Sequence, residues 1–370
     1  MTTERGASGQ ETAGAASAEQ TATSRVMDPL RNADQELWLD RYARLFGFGW
    51  LRDRLGLSLP PSLLFAVVVT VGWASVGTAL DLLVFGNTPI YLVNPYFLLQ
   101  PGILLVAAYG AHSLQSSYRE AVVEMQLAER TEHPERFQQI IPDWLPWTLF
   151  GVTVLVQLLR TYLDYSLFTT TGVIANGIVN PLLYGPILVQ FLVVYVTIEF
   201  VVPWRLYTSD VGVHFLDPHG VGGLRPIGEL IKKAYYYVVI GLIGYGLITY
   251  GPGIDGWQIS ATAGTIFTVT WLATIGTVAF AVFVLHRFLH REKRRELRKL
   301  ESQLREHIDD PWEVSEYSIP GEARDTVDDI RTRIERVSAT REYPATFSIW
   351  TQLLLSVAIP KALQLFLASA

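Results

Sequence analysis

The stretch 262–308, TAGTIFTVTWLATIGTVAFAVFVLHRFLHREKRRELRKLESQLREHI, decides the reading of this chain. Residues 262–286 contain no Asp, Glu, Lys or Arg. They exceed the roughly 20 apolar residues that a helix needs to cross a bilayer. From Arg287 onward the composition inverts, with Arg287, Arg291, Lys293, Arg294, Arg295, Arg298 and Lys299 in close succession. Leu297, Leu300, Leu304 and Ile308 nevertheless keep helical spacing, and no breaker intervenes. The expectation is one helix of over about 40 residues, at least roughly 60 Å long. One part lies in lipid and the other is basic and wetted.

Working outward, the same alternation organises the whole chain. Half the residues are hydrophobic and 17% are charged. Apolar stretches at 62–84, 91–112, 145–166, 182–204, 234–252, 262–286 and 345–368 have the length of spans. Of the 29 Lys and Arg, all but Arg160 and Lys361 fall in the N-terminal region and in every second loop after it, at 113–143, 205–233 and 287–344. The intervening loops have none. By the positive-inside rule the basic loops are cytoplasmic. The expected fold is therefore an all-α polytopic membrane protein with seven transmembrane helices. Its N-terminus is cytoplasmic, its C-terminus extracellular, and helical extensions reach into the cytoplasm. The cell membrane is the expected location, with membrane lipid as a necessary partner.

The remaining segments follow from composition. Residues 1–36 are hydrophilic and lack an apolar h-region, so they read as a disordered tail and not as a signal peptide. In 37–58, Trp38, Tyr42, Leu45 and Phe46 share a helical face opposite Asp40, Arg41 and Arg44, the pattern of an interfacial amphipathic helix. Within 287–344, Pro311 and Pro320-Gly321 mark a turn. A second amphipathic helix follows with Val327, Ile330, Ile334 and Val337 on one face, ending near Tyr343-Pro344, where the last span begins. The two apolar faces of this hairpin are expected to pack against each other or against copies from other subunits. No internal repeat is visible.

Cys is absent, which excludes disulfides, thiolate catalysis and Cys-based zinc sites. A net charge of −6 argues against nucleic acid as a partner. Arg outnumbers Lys, and such an acidic, Lys-poor composition fits a halophilic archaeal source or simply a GC-rich genome. No catalytic constellation is recognisable, so the chain is not read as an enzyme, and no cofactor is expected.

Ionisable residues inside spans are costly and mark candidate functional sites. Asp81, Arg160 and Asp164 fall at similar depth in the outer parts of their spans. They either neutralise one another or line an outer cavity for a small ligand or ion. Arg160 and Asp164 share a face at i, i+4. Lys361 lies in the outer part of the last span. Glu199 sits in the inner half of span four with no partner at favourable spacing, which makes it a candidate coupling carboxylate. Gln157, Gln190, Gln352 and Gln364 read as interhelical hydrogen-bonding groups. His286 and His290 are spaced i, i+4 at the inner end of span six, and His112 ends span two. They read as interfacial histidines, and no metal is expected. In the segment 214–229, HFLDPHGVGGLRPIGE, Gly220, Gly222 and Gly223 permit a backbone nest for an anion, with Arg225 beside it. The alternative is a tight connector back to the membrane.

Four features resemble the insect gustatory and odorant receptor type of seven-span ligand-gated channels and their remote microbial relatives. These are the inside N-terminus, the seven spans, the long extension of span six, and the cytoplasmic helix leading directly into the last span. Those receptors carry Thr-Tyr, five apolar residues, then Gln-Phe in the last span. This chain has Thr346-Phe347-Ser348-Ile349-Trp350-Thr351-Gln352-Leu353, one residue shorter. The resemblance implies a homo-oligomer, specifically a tetramer, with a central pore lined by the last span through Thr346, Gln352 and Lys361. The resulting expectation is a ligand-gated ion channel. The alternatives are a secondary transporter using Glu199 and a non-transporting membrane sensor or scaffold.

Overall fold

A computed structural model describes residues 36–84, 86, 88–138, 141–142, 144–164, 173–254, 261–308 and 324–343, with isolated positions 358, 362, 365 and 366. The described residues are helical, with no strand among them. The longer helices are α1 (Trp38–Leu45), α2 (Phe48–Leu55), α3 (Pro61–Val67), α4 (Trp73–Leu83), α5 (Leu99–Glu124), α6 (Trp144–Leu163), α7 (Gly185–Val196), α8 (Val202–Thr208), α9 (Arg225–Ile254), α10 (Ala261–Arg305) and α11 (Arg324–Ala339).

Five helical stretches are long and apolar enough to cross a membrane: Pro61–Ala79, Pro95–Glu124, Gly185–Thr208, Arg225–Pro252 and Ala261–Arg305. α6 has the length of a span at 20 residues, but Pro146, Gln157 and Arg160 interrupt its apolar run. The expected last span, with Thr346, Gln352 and Lys361, lies outside the described residues.

α5 occupies the centre, packed by α9 and α7, while α6 covers the other side of α7. Its inward face is built from Ala107, Ala108, Ala111 and Ala121, all buried. Small residues let helix backbones approach closely where lipid supplies no hydrophobic drive between helices. Gly110 shows the limit of this approach, since a Cβ there would meet Tyr237 of α9 at 3.0 Å and Phe191 of α7 at 3.3 Å.

Several boundaries differ from the sequence reading. The single amphipathic helix expected over 37–58 is two helices, broken at Gly47, whose φ is 81°. Asp40, expected on the polar face, is only 7% exposed. The reason is a cap. α3 begins at Pro60-Pro61, which offers no side-chain acceptor, and the Asp40 carboxylate accepts the Ser62 N–H at 3.0 Å and the Leu37 N–H at 3.1 Å. The second crossing stretch starts at Pro95, not 91, and its helix continues to Glu124, so much of the loop expected at 113–143 is helix.

α10 runs unbroken for 45 residues, as its opening sequence pattern required. That is about 67 Å at about 1.5 Å per residue, roughly twice the hydrocarbon thickness. α11 lies along its charged end. Leu300, Ile330 and Val337 form a buried cluster with Leu297, Leu304, Ile334 and Phe215 against it. The two apolar faces thus cover each other within one chain.

Candidate functional site

The crossing stretch Gly185–Thr208 is not a plain helix. Between α7 and α8 the turn Thr197–Val201 is a π-helix. The cause is local. Pro203 has no N–H to donate to the Glu199 carbonyl four residues earlier, so the helical ladder shifts register there. The wider turn presses against α9 and α10. Its flanks are fixed: the Tyr195 hydroxyl and the Thr277 hydroxyl share a 2.7 Å hydrogen bond, and Phe200 stacks on Phe280 with ring centroids 4.0 Å apart.

Glu199 sits in this turn with 0% of its surface exposed. Neither carboxyl oxygen has a hydrogen-bond partner among the described residues, and the Thr197 hydroxyl in the same turn has none either. A buried carboxylate charge without a partner is strongly disfavoured. The site therefore favours a carboxyl carrying a proton, or one facing a bound cation. π-turns of this kind concentrate at functional positions.

Of the other expected membrane groups, Asp81 belongs to α4 and Arg160 to α6. Arg160 and Asp164 are close in the chain, and the Asp164 N–H donates to the Arg160 carbonyl at 2.9 Å. The Nε of Arg160 is buried without a hydrogen bond among the described residues. Asp81 lies near the end of α4, and its side chain is outside the described residues. The main packing of α6 is with α7 and the 173–179 turn, not with α4. Of the glutamines, Gln190 is buried between helices, and its side-chain oxygen accepts the Leu39 N–H at 2.9 Å, tying α1 to α7.

At the charged end, the glycine-rich segment resolves into a closed structure. Gly220, Gly222 and Gly223 adopt positive φ as the nest reading requires. The anion in the nest is the chain's own Asp217. Its carboxylate accepts N–H groups from His219 at 2.9 Å, Val221 at 3.1 Å and Gly223 at 2.9 Å. Partial burial acts to raise the Asp217 pKa, but these donors outweigh it and hold the carboxyl below the usual range. The tight connector is the correct alternative, and no external phosphate is needed. Arg225 turns aside to His219.

Arg130, which sequence reading did not single out, staples this loop to the rest. Its guanidinium donates to the carbonyls of Gly212 at 2.8 Å, Gly222 at 3.0 Å, Met125 at 3.2 Å and Gly223 at 3.4 Å. A neighbouring Asp210 accepts the Thr131 hydroxyl and the Glu132 N–H, chiefly the former, which lowers its pKa.

His286 and His290 have a specific partner, the segment following α11. The Nδ1–H of His286 donates to the Glu342 carbonyl at 3.1 Å, and its ring stacks on Tyr343 at 4.3 Å. The Nδ1 of His290 lies 2.8 Å from the Glu342 carboxylate. Lys293 donates to the carbonyls of Ser338 and Thr340, each at 2.8 Å. Among the described residues no group of three His, Asp or Glu is arranged to hold a metal. His112, instead of being a free interfacial residue, shares a 2.7 Å hydrogen bond with the Ser62 hydroxyl.

Among the described residues these features define an all-helical protein with helices long and apolar enough for a membrane, a buried polar turn at 197–201 and a tightly cross-linked charged end. Comparison with known protein families, characterised proteins and solved structures finds no match to this chain.

Proposed function

We propose that the chain is a multi-pass plasma-membrane protein of the gated-channel class, assembled from several copies, with its last membrane segment forming the conducting path. The observation that carries this reading is the hairpin. α10 continues far past the length of a span, α11 returns along it, and residues 338–343 are fastened to α10 directly before the last segment begins. A hairpin built this way couples any displacement at the charged end to the entry of the last segment. In this reading the charged end is cytoplasmic, seven segments cross, and the C-terminus is outside. Thr346, Gln352 and Lys361 line the path, while Asp81, Arg160 and Asp164 lie toward an outer cavity that admits a small ligand or ion. The test is planar-bilayer recording of the purified protein. Discrete conductance steps altered by Gln352→Ala are expected. No conductance across a broad voltage and ligand screen overturns the reading.

A second reading, a proton- or cation-coupled secondary transporter, is favoured by one observation: both oxygens of the fully buried Glu199 lack partners among the described residues. Such a group binds and releases a proton or cation as helices move around it. Gradient-driven uptake into proteoliposomes, lost in Glu199→Gln, is the expected result for a transporter. Conductance that persists in the same variant favours the channel.

A further inference from the structure

We infer that α10 carries a binding site for the phosphate headgroup of an acidic phospholipid, built from a stripe of Arg287, Arg294 and Arg298 with Arg291 beside them. The site is separate from the proposed conducting path and requires only that the apolar part of α10 lie in lipid. The four positions are spaced i, i+4, i+7 and i+11. At about 100° per residue they fall within an arc of about 60° and extend about 16 Å along the axis. All four are exposed.

The stripe differs from the other charged faces in its bonding. Elsewhere bases are matched to acids: Arg295 stands 3.8 Å from Glu292, Lys299 3.8 Å from Glu296, and Arg333 of α11 2.7 Å from Asp329. Arg287, Arg294 and Arg298 have no carboxylate partner among the described residues. The Arg298 Nε–H donates to the Arg294 carbonyl at 3.2 Å, which holds the stem and leaves the Nη groups for another acceptor. Arg291 is partly committed, to Glu292 at 2.9 Å and to the Tyr207 ring at 4.8 Å. Arg294 and Arg298 line an open cavity of about 340 Å³ with Leu297 and Glu301, and Glu301 is taken by Arg305. Like charges at i, i+4 destabilise a helix, and Arg287–Arg291 and Arg294–Arg298 are two such pairs. An anion laid along the stripe relieves both.

Depth decides the occupant. Residues 262–286 carry no Asp, Glu, Lys or Arg, and Arg287 follows at once. Beside the stripe on α8, Trp204 is 50% exposed, and its ring lies 6.0 Å from that of Tyr207, which faces Arg291. Trp and Tyr gather at headgroup level. The polar layer is about 5–8 Å deep on each face of a bilayer. Arg287 and Arg291 therefore stand in it. Arg294 and Arg298 stand just outside, within about a Debye length of its charge. A basic cluster directly beyond a span attracts acidic lipid. Holding bases on one side of a membrane requires a count and no alignment. The headgroup accounts for the alignment, and the use of Arg accounts for the phosphate, since the planar guanidinium fork grips two oxygens.

Native mass spectrometry of the full-length protein in detergent, titrated with phosphatidylglycerol or phosphatidylcholine of the same acyl chains, reads the site. Phosphatidylglycerol is expected to bind about tenfold or more tighter, and Arg287→Gln/Arg294→Gln/Arg298→Gln to lose that margin. Arg295→Gln/Lys299→Gln/Arg333→Gln removes the same charge from bases already paired with acids and should keep it. Equal loss in the two variants, or equal binding of the two lipids, overturns the site. Displacement of the lipid by an equal concentration of inorganic phosphate also overturns it and assigns the stripe to a free anion. If the first variant does not fold, salt decides on the unaltered protein. The margin should collapse between about 0.1 and 1 M salt, as the screening length falls from about 10 to about 3 Å, and a margin that persists overturns the site. A protein that conducts nothing and keeps the margin loses the channel reading and retains the site.

Discussion

Two acidic side chains, Asp217 and Glu199, show opposite solutions to placing a carboxylate in a helical membrane protein. Asp217 is partly exposed in a loop and is satisfied by three main-chain N–H groups. Glu199 is wholly buried in a π-turn and is satisfied by none among the described residues. The first is the more accessible and the better bonded. Stability alone would predict the reverse, since burial raises the cost of an unmade hydrogen bond. The difference separates roles. Asp217 is spent on structure, whereas Glu199 makes no hydrogen bond among the described residues, which is why it is proposed as a coupling group.

The largest effect is expected where the structural carboxylate is removed. Asp217→Ala leaves the N–H groups of His219, Val221 and Gly223 to water and loosens the loop that Arg130 staples. A loss of about 2–3 kcal/mol is expected, read by thermal unfolding in detergent. Asp217→Asn, which keeps one oxygen acceptor, should recover part of it. Next in size is Gly223→Ala. Its φ of 74° disfavours a side chain, and a Cβ would stand 2.7 Å from Nη1 of Arg130. A cost of about 1–2 kcal/mol is expected from the backbone alone. If Asp217→Ala is neutral, the loop is not held as described and the comparison fails on that side.

Acidification sharpens the same side. The Asp217 carboxyl is held below its usual range, so its contribution is fully present above about pH 3.9 and is lost as pH falls through the depressed value. Amide exchange over 209–224 should be unchanged from about pH 7 to about pH 5, once corrected for intrinsic rates, and should rise only below about pH 4.

How far the sequence alone reaches differs between these regions, for physical reasons. The long helix was legible because an apolar run and a leucine repeat share one period across the Arg287 boundary. The hairpin was legible because Ile330 and Val337 leave one stripe to bury. The π-turn was not read, although Pro203 four residues after Glu199 was its signal. The glycines allowed either a nest for an outside anion or a tight connector, and the chain's own Asp217 as occupant was missed. Asp217-Pro218 immediately before them was the clue, since Asp readily accepts N–H groups from the residues that follow it. Arg130 could not have been found, because its acceptors at 212, 222 and 223 are main-chain carbonyls far along the chain. The Glu342 partner of His290 is likewise 52 residues away, beyond any local spacing rule. The Asp81, Arg160 and Asp164 grouping rested on depth, which places residues at one level without bringing them to one side.

The smallest effect on stability is expected at Glu199. Glutamine there keeps the shape, and replacing a carboxyl that makes no hydrogen bond among the described residues sacrifices none, so unfolding should shift by about 1 kcal/mol or less. Glu199→Leu should be neutral or slightly stabilising for the same reason. A loss above about 2 kcal/mol in Glu199→Gln would mean that the carboxyl has a structural partner after all, and the contrast with Asp217 would collapse. The functional expectation runs the other way. A group retained at a cost to stability is retained for what it binds, so Glu199→Gln should abolish gradient-coupled flux in a transporter or alter cation sensitivity in a channel. Measuring unfolding and flux on the same preparation of the same variant separates a residue that holds the fold from one that the fold holds in reserve.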